Sequence, residues 1–172
     1  MKAAQQGHAD AMCGLYSILN FLQTVEYWRE DEAQDGMFYL LETYQRKGWL
    51  TPHFLTRGFT ASQLKSVLDD QIKMFRLGFV THFLSDVIAA PRSKKGRELL
   101  VAIASAGGAV ITGPKGGSHW QLVMSRQAQP ILIDSDRAER PVRLLDEIKR
   151  VSVDHEGVVI LPVARPVVEI NI

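Results

Sequence analysis

One cysteine stands out among the residues that could do chemistry, because Cys13 is the only thiol in a chain of 172 residues. It lies just ahead of apolar side chains at positions 15, 18, 19 and 22, a spacing that predicts one face of an α-helix. Asp10 can cap the first turn of this helix. A thiol in a first turn lies at the positive end of the helix dipole, which favours the nucleophilic thiolate. The plainer alternative is that Cys13 is buried apolar filler, the common role of a free cysteine.

A thiol nucleophile needs a base, and the base needs a group that orients it. His119 follows a glycine-rich turn and opens a predicted strand over 119–124, whereas Asp134 ends the next predicted strand, over 130–134. A short polar link joins these strands, which predicts an antiparallel hairpin. Because the start of one hairpin strand lies beside the end of the other, we expect Asp134 next to His119. The carboxylate could then fix the imidazole tautomer and support the imidazolium.

An acyl-transfer site also needs donors for the developing oxyanion. The backbone N–H of Cys13 is one candidate, because the N–H groups in the first turn of a helix have no acceptor within the helix. A side-chain amide arriving just before the helix is the second, and Gln5 and Gln6 both offer one. The alternative is that these two glutamines are simply solvated residues near the start of the chain.

The base and its partner also have plainer interpretations. His119 could be a strand-edge histidine bonded to the backbone, and Asp134 could be a turn residue. Asp136 is a rival for the orienting role, although it lies beyond the end of the predicted strand. The remaining histidines lack the spacing of a metal site, so we predict neither a metal nor a cofactor.

Composition limits the partners and the compartment. The formal net charge is +1, from 20 basic and 19 acidic residues, which argues against a nucleic-acid or anionic-membrane partner. A single cysteine excludes an internal disulfide and a cysteine-rich zinc site. The amino-terminal residues lack a secretory apolar region, and no apolar run approaches the ~20 residues that span a bilayer. We expect a cytoplasmic protein without membrane insertion, and export by a non-standard signal stays open.

Helical patterns fill the first part of the chain and strand patterns the second. Helices are predicted over 11–27, 37–46, 60–75, 93–106 and 142–151. Strands are predicted over 78–83, 109–112, 119–124, 130–134, 157–161 and 167–170. This order predicts an α+β fold of two layers with a cleft between them. We expect one domain over 1–172, with a mainly helical half over 1–107 and a mainly β half over 108–172.

The order of these residues resembles that of the papain-like cysteine peptidase superfamily: a Gln, then Cys-Gly at a helix start, then His and Asp on successive strands. The nearest form is the bacterial peptidase domains that cleave double-glycine leader peptides, and their stand-alone relatives. The resemblance implies a papain-like fold, in which the Cys helix of an amino-terminal helical layer packs against a carboxyl-terminal antiparallel sheet. It also implies roles for four residues: Cys13 as nucleophile, His119 as base, Asp134 as orienting residue and Gln6 in the oxyanion hole. The spacing from Gln6 to Cys13 is one residue longer than is usual in the family.

The leading hypothesis is therefore a cysteine peptidase that acts on a peptide or protein through an acyl-enzyme. An acyltransferase or a glutamine deamidase is the second hypothesis, since transglutaminase-like proteins, arylamine acyltransferases and deamidating bacterial toxins share the Cys-His-Asp order. The third is a catalytically inactive module that binds peptides. The sequence leaves open the substrate, the oligomeric state and the choice between Gln5 and Gln6.

Overall fold

The computed structural model describes residues 12–25, 29–51, 58–91, 93–113, 119–134, 142–144 and 156–163. Its helices are α1 (Cys13–Thr24), α2 (Ala33–Arg46), α3 (Ala61–Met74), α4 (Leu84–Val87) and α5 (Lys94–Ser105). Its strands are β1 (Phe79–Phe83), β2 (Ala109–Thr112), β3 (Gln121–Arg126), β4 (Gln129–Ile133), β5 (Val142–Leu144) and β6 (Gly157–Pro162). Helices packed against an antiparallel sheet make the protein α+β, as predicted.

The described strands form one sheet in the order β1-β6-β2-β3-β4-β5. Every neighbouring pair is antiparallel. The predicted hairpin is present as β3 and β4, which are joined by a two-residue turn at Gln127 and Ala128. These two residues have φ angles of 49° and 62°, the left-handed values that a tight hairpin turn requires. His119 and Asp134, two of the candidate site residues, lie at the open end of this hairpin.

Helices cover both faces of this sheet. Because neighbouring side chains on a strand point to opposite faces, Ile111 packs with α1, α2 and α3 while Val110 packs with α4 and α5. The prediction of two layers is therefore wrong. All four residues of β2 are buried, the pattern of a strand covered on both sides rather than on one.

The helix that carries Cys13 begins at that residue. Its N-cap residue is Met12, whose side chain forms no capping hydrogen bond, and the predicted cap Asp10 lies outside the described residues. Gly14 lets α1 approach the neighbouring helix closely, because a Cβ there would come within 2.7 Å of the Leu64 side chain on α3. The helix ends at Thr24, earlier than predicted.

The capping box at the start of α3 is present, since the Thr60 side chain accepts a hydrogen bond from the Gln63 N–H and the Gln63 side chain accepts one from the Thr60 N–H.

Two other predicted elements have a different outcome. The predicted helix over 142–151 is wrong at its start, because Val142–Leu144 forms β5 and pairs with β4. Pairing with an available sheet edge outweighs a weak local helical pattern there. The predicted strand over 167–170 lies outside the described residues.

Across the described parts of the chain, no helix combines the length and the apolar character that crossing a bilayer requires.

Candidate active site

His119 and Asp134 meet at the open end of the β3–β4 hairpin. Leu122 pairs with Ile133, so the same register continued by one residue places Asp134 opposite Gln121 and diagonal to His119. The Nε2 atom of His119 lies 3.1 Å from Oδ1 of Asp134. The predicted contact between the two side chains is therefore present, although both lie just outside the strands rather than within them.

The carboxylate of Asp134 has a second partner that the sequence analysis missed. The Nε2 amide of Gln121 donates a hydrogen bond of 2.9 Å to Oδ2 of Asp134, and both side chains are buried. Each carboxylate oxygen is thus held by a different group. The sequence does carry a signal for this contact, because Gln121 lies two residues after His119 and therefore on the same side of the extended chain.

Replacing Gln121 with methionine, which has a similar shape and no amide, is expected to lower the free energy of unfolding by about 1–3 kcal/mol. The loss arises because Oδ2 of the buried Asp134 carboxylate loses this donor. Urea unfolding of the wild type and the Gln121→Met variant measures the difference. Replacing exposed Gln129 in the same way is the control, and an equal effect from both variants would contradict a role for this hydrogen bond.

Cys13, at the start of α1, contacts the chain segment that carries His119. The backbone N–H of Trp120 donates a hydrogen bond to the Cys13 sulfur, with a nitrogen–sulfur distance of 3.1 Å. The Cys13 thiol also lies close enough to the His119 imidazole to raise the pKa of the ring. Folding has therefore brought the thiol near the imidazole, as the sequence analysis expected.

The pKa of His119 is raised from 6.5 to about 10. The contact with Asp134 is the largest cause, the neighbouring Cys13 thiol is the second, and burial of the ring opposes both. The imidazole is therefore protonated at neutral pH. The raised pKa favours a positively charged ring beside Asp134 and Cys13, two groups that can carry negative charge.

The raised pKa of His119 predicts a pH-dependent stability. Because the folded-state pKa lies above the unfolded value of 6.5, the added stability is complete below about pH 6.5 and is lost as the pH rises through the folded-state pKa, about 10. The free energy of unfolding should fall in that interval by up to about 1.4 kcal/mol per pH unit.

This stability test needs a background without the thiol, because an unfolded cysteine titrates in the same interval. We therefore compare Cys13→Ala with Cys13→Ala/His119→Gln by urea unfolding at several pH values. Asp134, the larger cause of the shift, is retained in both proteins. Removal of the thiol also removes the smaller cause of the raised pKa of His119. The fall in the free energy of unfolding should therefore be complete somewhat below pH 10. Parallel curves for the two proteins would contradict the raised pKa.

The thiol is nearly inaccessible in this structure. Cys13 is 1% exposed and belongs to the apolar core beside α1, whereas the His119 side chain is 28% exposed. The burial of Cys13 agrees with the filler interpretation, and its contact with His119 agrees with the nucleophile interpretation. Of the three candidate triad side chains, His119 is the one that reaches solvent appreciably.

Trp120 fixes the position of the backbone that contacts the sulfur. Its side chain is fully buried in the core, as strand alternation predicts, and its Nε1 donates a 3.1 Å hydrogen bond to the Phe59 carbonyl. The segment before α3 thereby holds the start of β3 in place. The hydrogen bond from the Trp120 backbone to the Cys13 sulfur was not predicted from the sequence.

Of the candidate oxyanion donors, the backbone N–H of Cys13 lies within the described residues. Cys13 is the first residue of α1, so its N–H has no acceptor within that helix. Gln6, Gln5 and the rival orienting residue Asp136 lie outside the described residues. No protein-family model matches the sequence, and no curated protein matches it significantly. The geometry of Cys13, His119 and Asp134 is therefore the main indication of function.

Proposed function

We propose that the protein is a thiol hydrolase, most simply a papain-like cysteine peptidase, with Cys13, His119 and Asp134 as its catalytic triad. The observation that supports this proposal is the position of the His119 ring. One side of the ring lies 3.1 Å from the buried Asp134 carboxylate, and the ring is also close to the only thiol of the chain, which helps to raise its pKa. This proximity of a candidate nucleophile, base and orienting group supports acyl-transfer chemistry.

In the proposed reaction, the Cys13 thiolate attacks the carbonyl carbon of a peptide bond and the carbonyl electrons move to oxygen. The Cys13 N–H and the Gln6 side chain are the proposed donors to that oxygen. The His119 imidazolium gives its proton to the leaving amine as the carbon–nitrogen bond breaks, leaving a thioester on Cys13. Water then attacks the thioester while His119 accepts its proton, and release of the acid restores the thiolate–imidazolium pair.

The pKa of His119 suits both halves of this cycle. Before attack, Asp134 and the neighbouring Cys13 raise the pKa of His119 and so keep the ring protonated and ready to act as an acid. Acylation of the sulfur removes the contribution of Cys13, so the pKa of His119 falls when the ring must act as a base. Asp134 remains in contact throughout and keeps the ring oriented.

Burial favours a second candidate, an inactive peptide-binding module. A thiol that is 1% exposed cannot meet a carbonyl group unless the packing around it opens. The acyltransferase and deamidase hypotheses use the same three residues and the same thioester, and they differ only in which molecule resolves it.

One experiment separates these functions. A proteome-derived peptide library is incubated with the wild type or Cys13→Ala in the presence of a primary amine, and the products are identified by mass spectrometry. New peptide termini that depend on Cys13 support the peptidase. Amide adducts would indicate an acyltransferase, and conversion of glutamine to glutamate a deamidase. Identical products from the two proteins would overturn all three enzyme hypotheses.

A further inference from the structure

A cavity of about 270 Å³ lies where β2 ends and β6 begins, at the same end of the sheet as His119 and Asp134. This volume is below the ~300–1,000 Å³ of typical small-molecule sites, so it suits one amino-acid side chain. The described residues that line it are Thr60, Ala61, Ser62, Phe83, Ser85, Glu156 and Gly157.

Two chain segments connect this cavity to the triad. On one side, Gly157 pairs with Thr112 of β2, and the next residue, Gly113, packs so tightly that a Cβ would overlap the His119 carbonyl oxygen. On the other side, Thr60 follows Phe59, whose carbonyl accepts the hydrogen bond from Trp120. The cavity is therefore bordered by the same backbone that positions His119 and the Cys13 sulfur.

The lining combines an apolar wall with one charge. Phe83 supplies the apolar surface, and Glu156 carries the only charge among the described lining residues. Glu156 is partly buried, and its carboxylate forms no ion pair with any residue in the described parts of the chain. A long apolar stem that ends in a cation is the side chain that matches such a site, because the stem packs on the ring while the charge meets the carboxylate.

Two neighbouring features offer other roles for these groups. Lys65 lies over the Phe83 ring at 5.7 Å, but its ammonium group is paired with Asp69 at 2.7 Å. The amino-terminal end of α3 also borders the cavity, and its dipole favours a negative charge there. The N–H of Gln63 in that first turn is bonded to Thr60, and among the described residues no hydrogen bond joins this end of the helix to the Glu156 carboxylate.

We propose that this cavity is a substrate subsite that takes a lysine or arginine side chain close to the scissile bond, with Glu156 as the specificity-determining residue. The inference rests on the proposed function, since it assigns a substrate class to the same site. It predicts that cleavage sites in the peptide library carry a basic residue at one fixed position.

The test measures binding without catalysis, in Cys13→Ala. N-acetyl-arginine N-methylamide is titrated into ¹⁵N-labelled protein, and the amide shifts of Ala61, Ser62 and Gly157 are followed by NMR. The neutral isostere N-acetyl-citrulline N-methylamide is the matched ligand. We expect saturable shifts with the arginine compound and at least about tenfold weaker binding of the citrulline compound.

Two variants complete the test. Glu156→Gln in the Cys13→Ala background should weaken binding of the arginine compound about tenfold, whereas Asp86→Asn, at an exposed carboxylate near Ser85, should leave it unchanged. Equal affinity for the two ligands, or absence of shifts at the three amides, would overturn the subsite. Because Cys13→Ala lacks the nucleophile, failure here leaves the triad untouched, and loss of thiol reactivity in the wild type leaves the subsite untouched.

Discussion

His119→Gln is expected to lower the rate of peptide hydrolysis by about 10²–10⁴-fold, the contribution typical of a positioned general acid and base. Glutamine is the informative replacement because its amide can still donate a hydrogen bond to Asp134 while it cannot exchange protons. The variant should therefore fold, and its loss of activity should arise in the chemical step. The measurement compares turnover of a peptide identified in the library experiment by the wild type and the variant.

His82→Gln is the matched control for this loss. His82 lies on β1, is exposed, and pairs through its backbone with Val159. It is distant in topology from the hairpin that carries His119, so its replacement should leave turnover unchanged. Retention of most activity in His119→Gln, or an equal loss in His82→Gln, would remove His119 from the mechanism.

Gly113→Ala is expected to destabilise the fold by about 1–3 kcal/mol and to reduce hydrolysis by about 10²-fold. Gly113 is buried at the end of β2, and a Cβ at this position would overlap the backbone carbonyl of His119. Because the obstructing atom belongs to the backbone, the segment that carries His119 and Trp120 must shift. A displacement near 1 Å is enough to break the alignment that catalysis needs.

Gly78→Ala provides the control for Gly113→Ala. Gly78 is exposed, and nothing lies within 4 Å of the position that a Cβ would take. The same change there should be neutral or stabilise by up to about 1 kcal/mol, through the smaller entropy of the unfolded chain. Chemical denaturation and turnover measure both variants. If Gly113→Ala matched Gly78→Ala in stability and activity, the tight packing behind His119 would be excluded.

Local sequence signals were sufficient for the elements that carry the candidate site. Apolar spacing predicted α1, and two apolar strands with a short link predicted the hairpin, which brings His119 to Asp134. That contact depends on a two-residue turn and on register alone. It therefore follows from neighbouring residues and needs no long-range assumption.

The sequence could not reveal features that depend on distant contacts. The second helical layer follows from burial of both faces of β2, and a short apolar run does not show how many faces will be covered. The hydrogen bond from the Trp120 backbone N–H to the Cys13 sulfur joins residues far apart in the chain. Its donor is a backbone group, which every residue type except proline carries, so the residue types do not predict it. The burial of Cys13 likewise depends on how the core closes around α1.

The pH dependence of Cys13 alkylation tests the central claim most directly, and it is unambiguous because the chain has one thiol. Iodoacetamide is reacted with the wild type, with His119→Gln and with free N-acetylcysteine between pH 5.5 and pH 9. A thiolate held by the imidazolium predicts a nearly constant rate below pH 8, at least about tenfold above N-acetylcysteine at the acid end and lost in His119→Gln. A rate that rises about tenfold per pH unit, as it does for a free thiol, would contradict the triad.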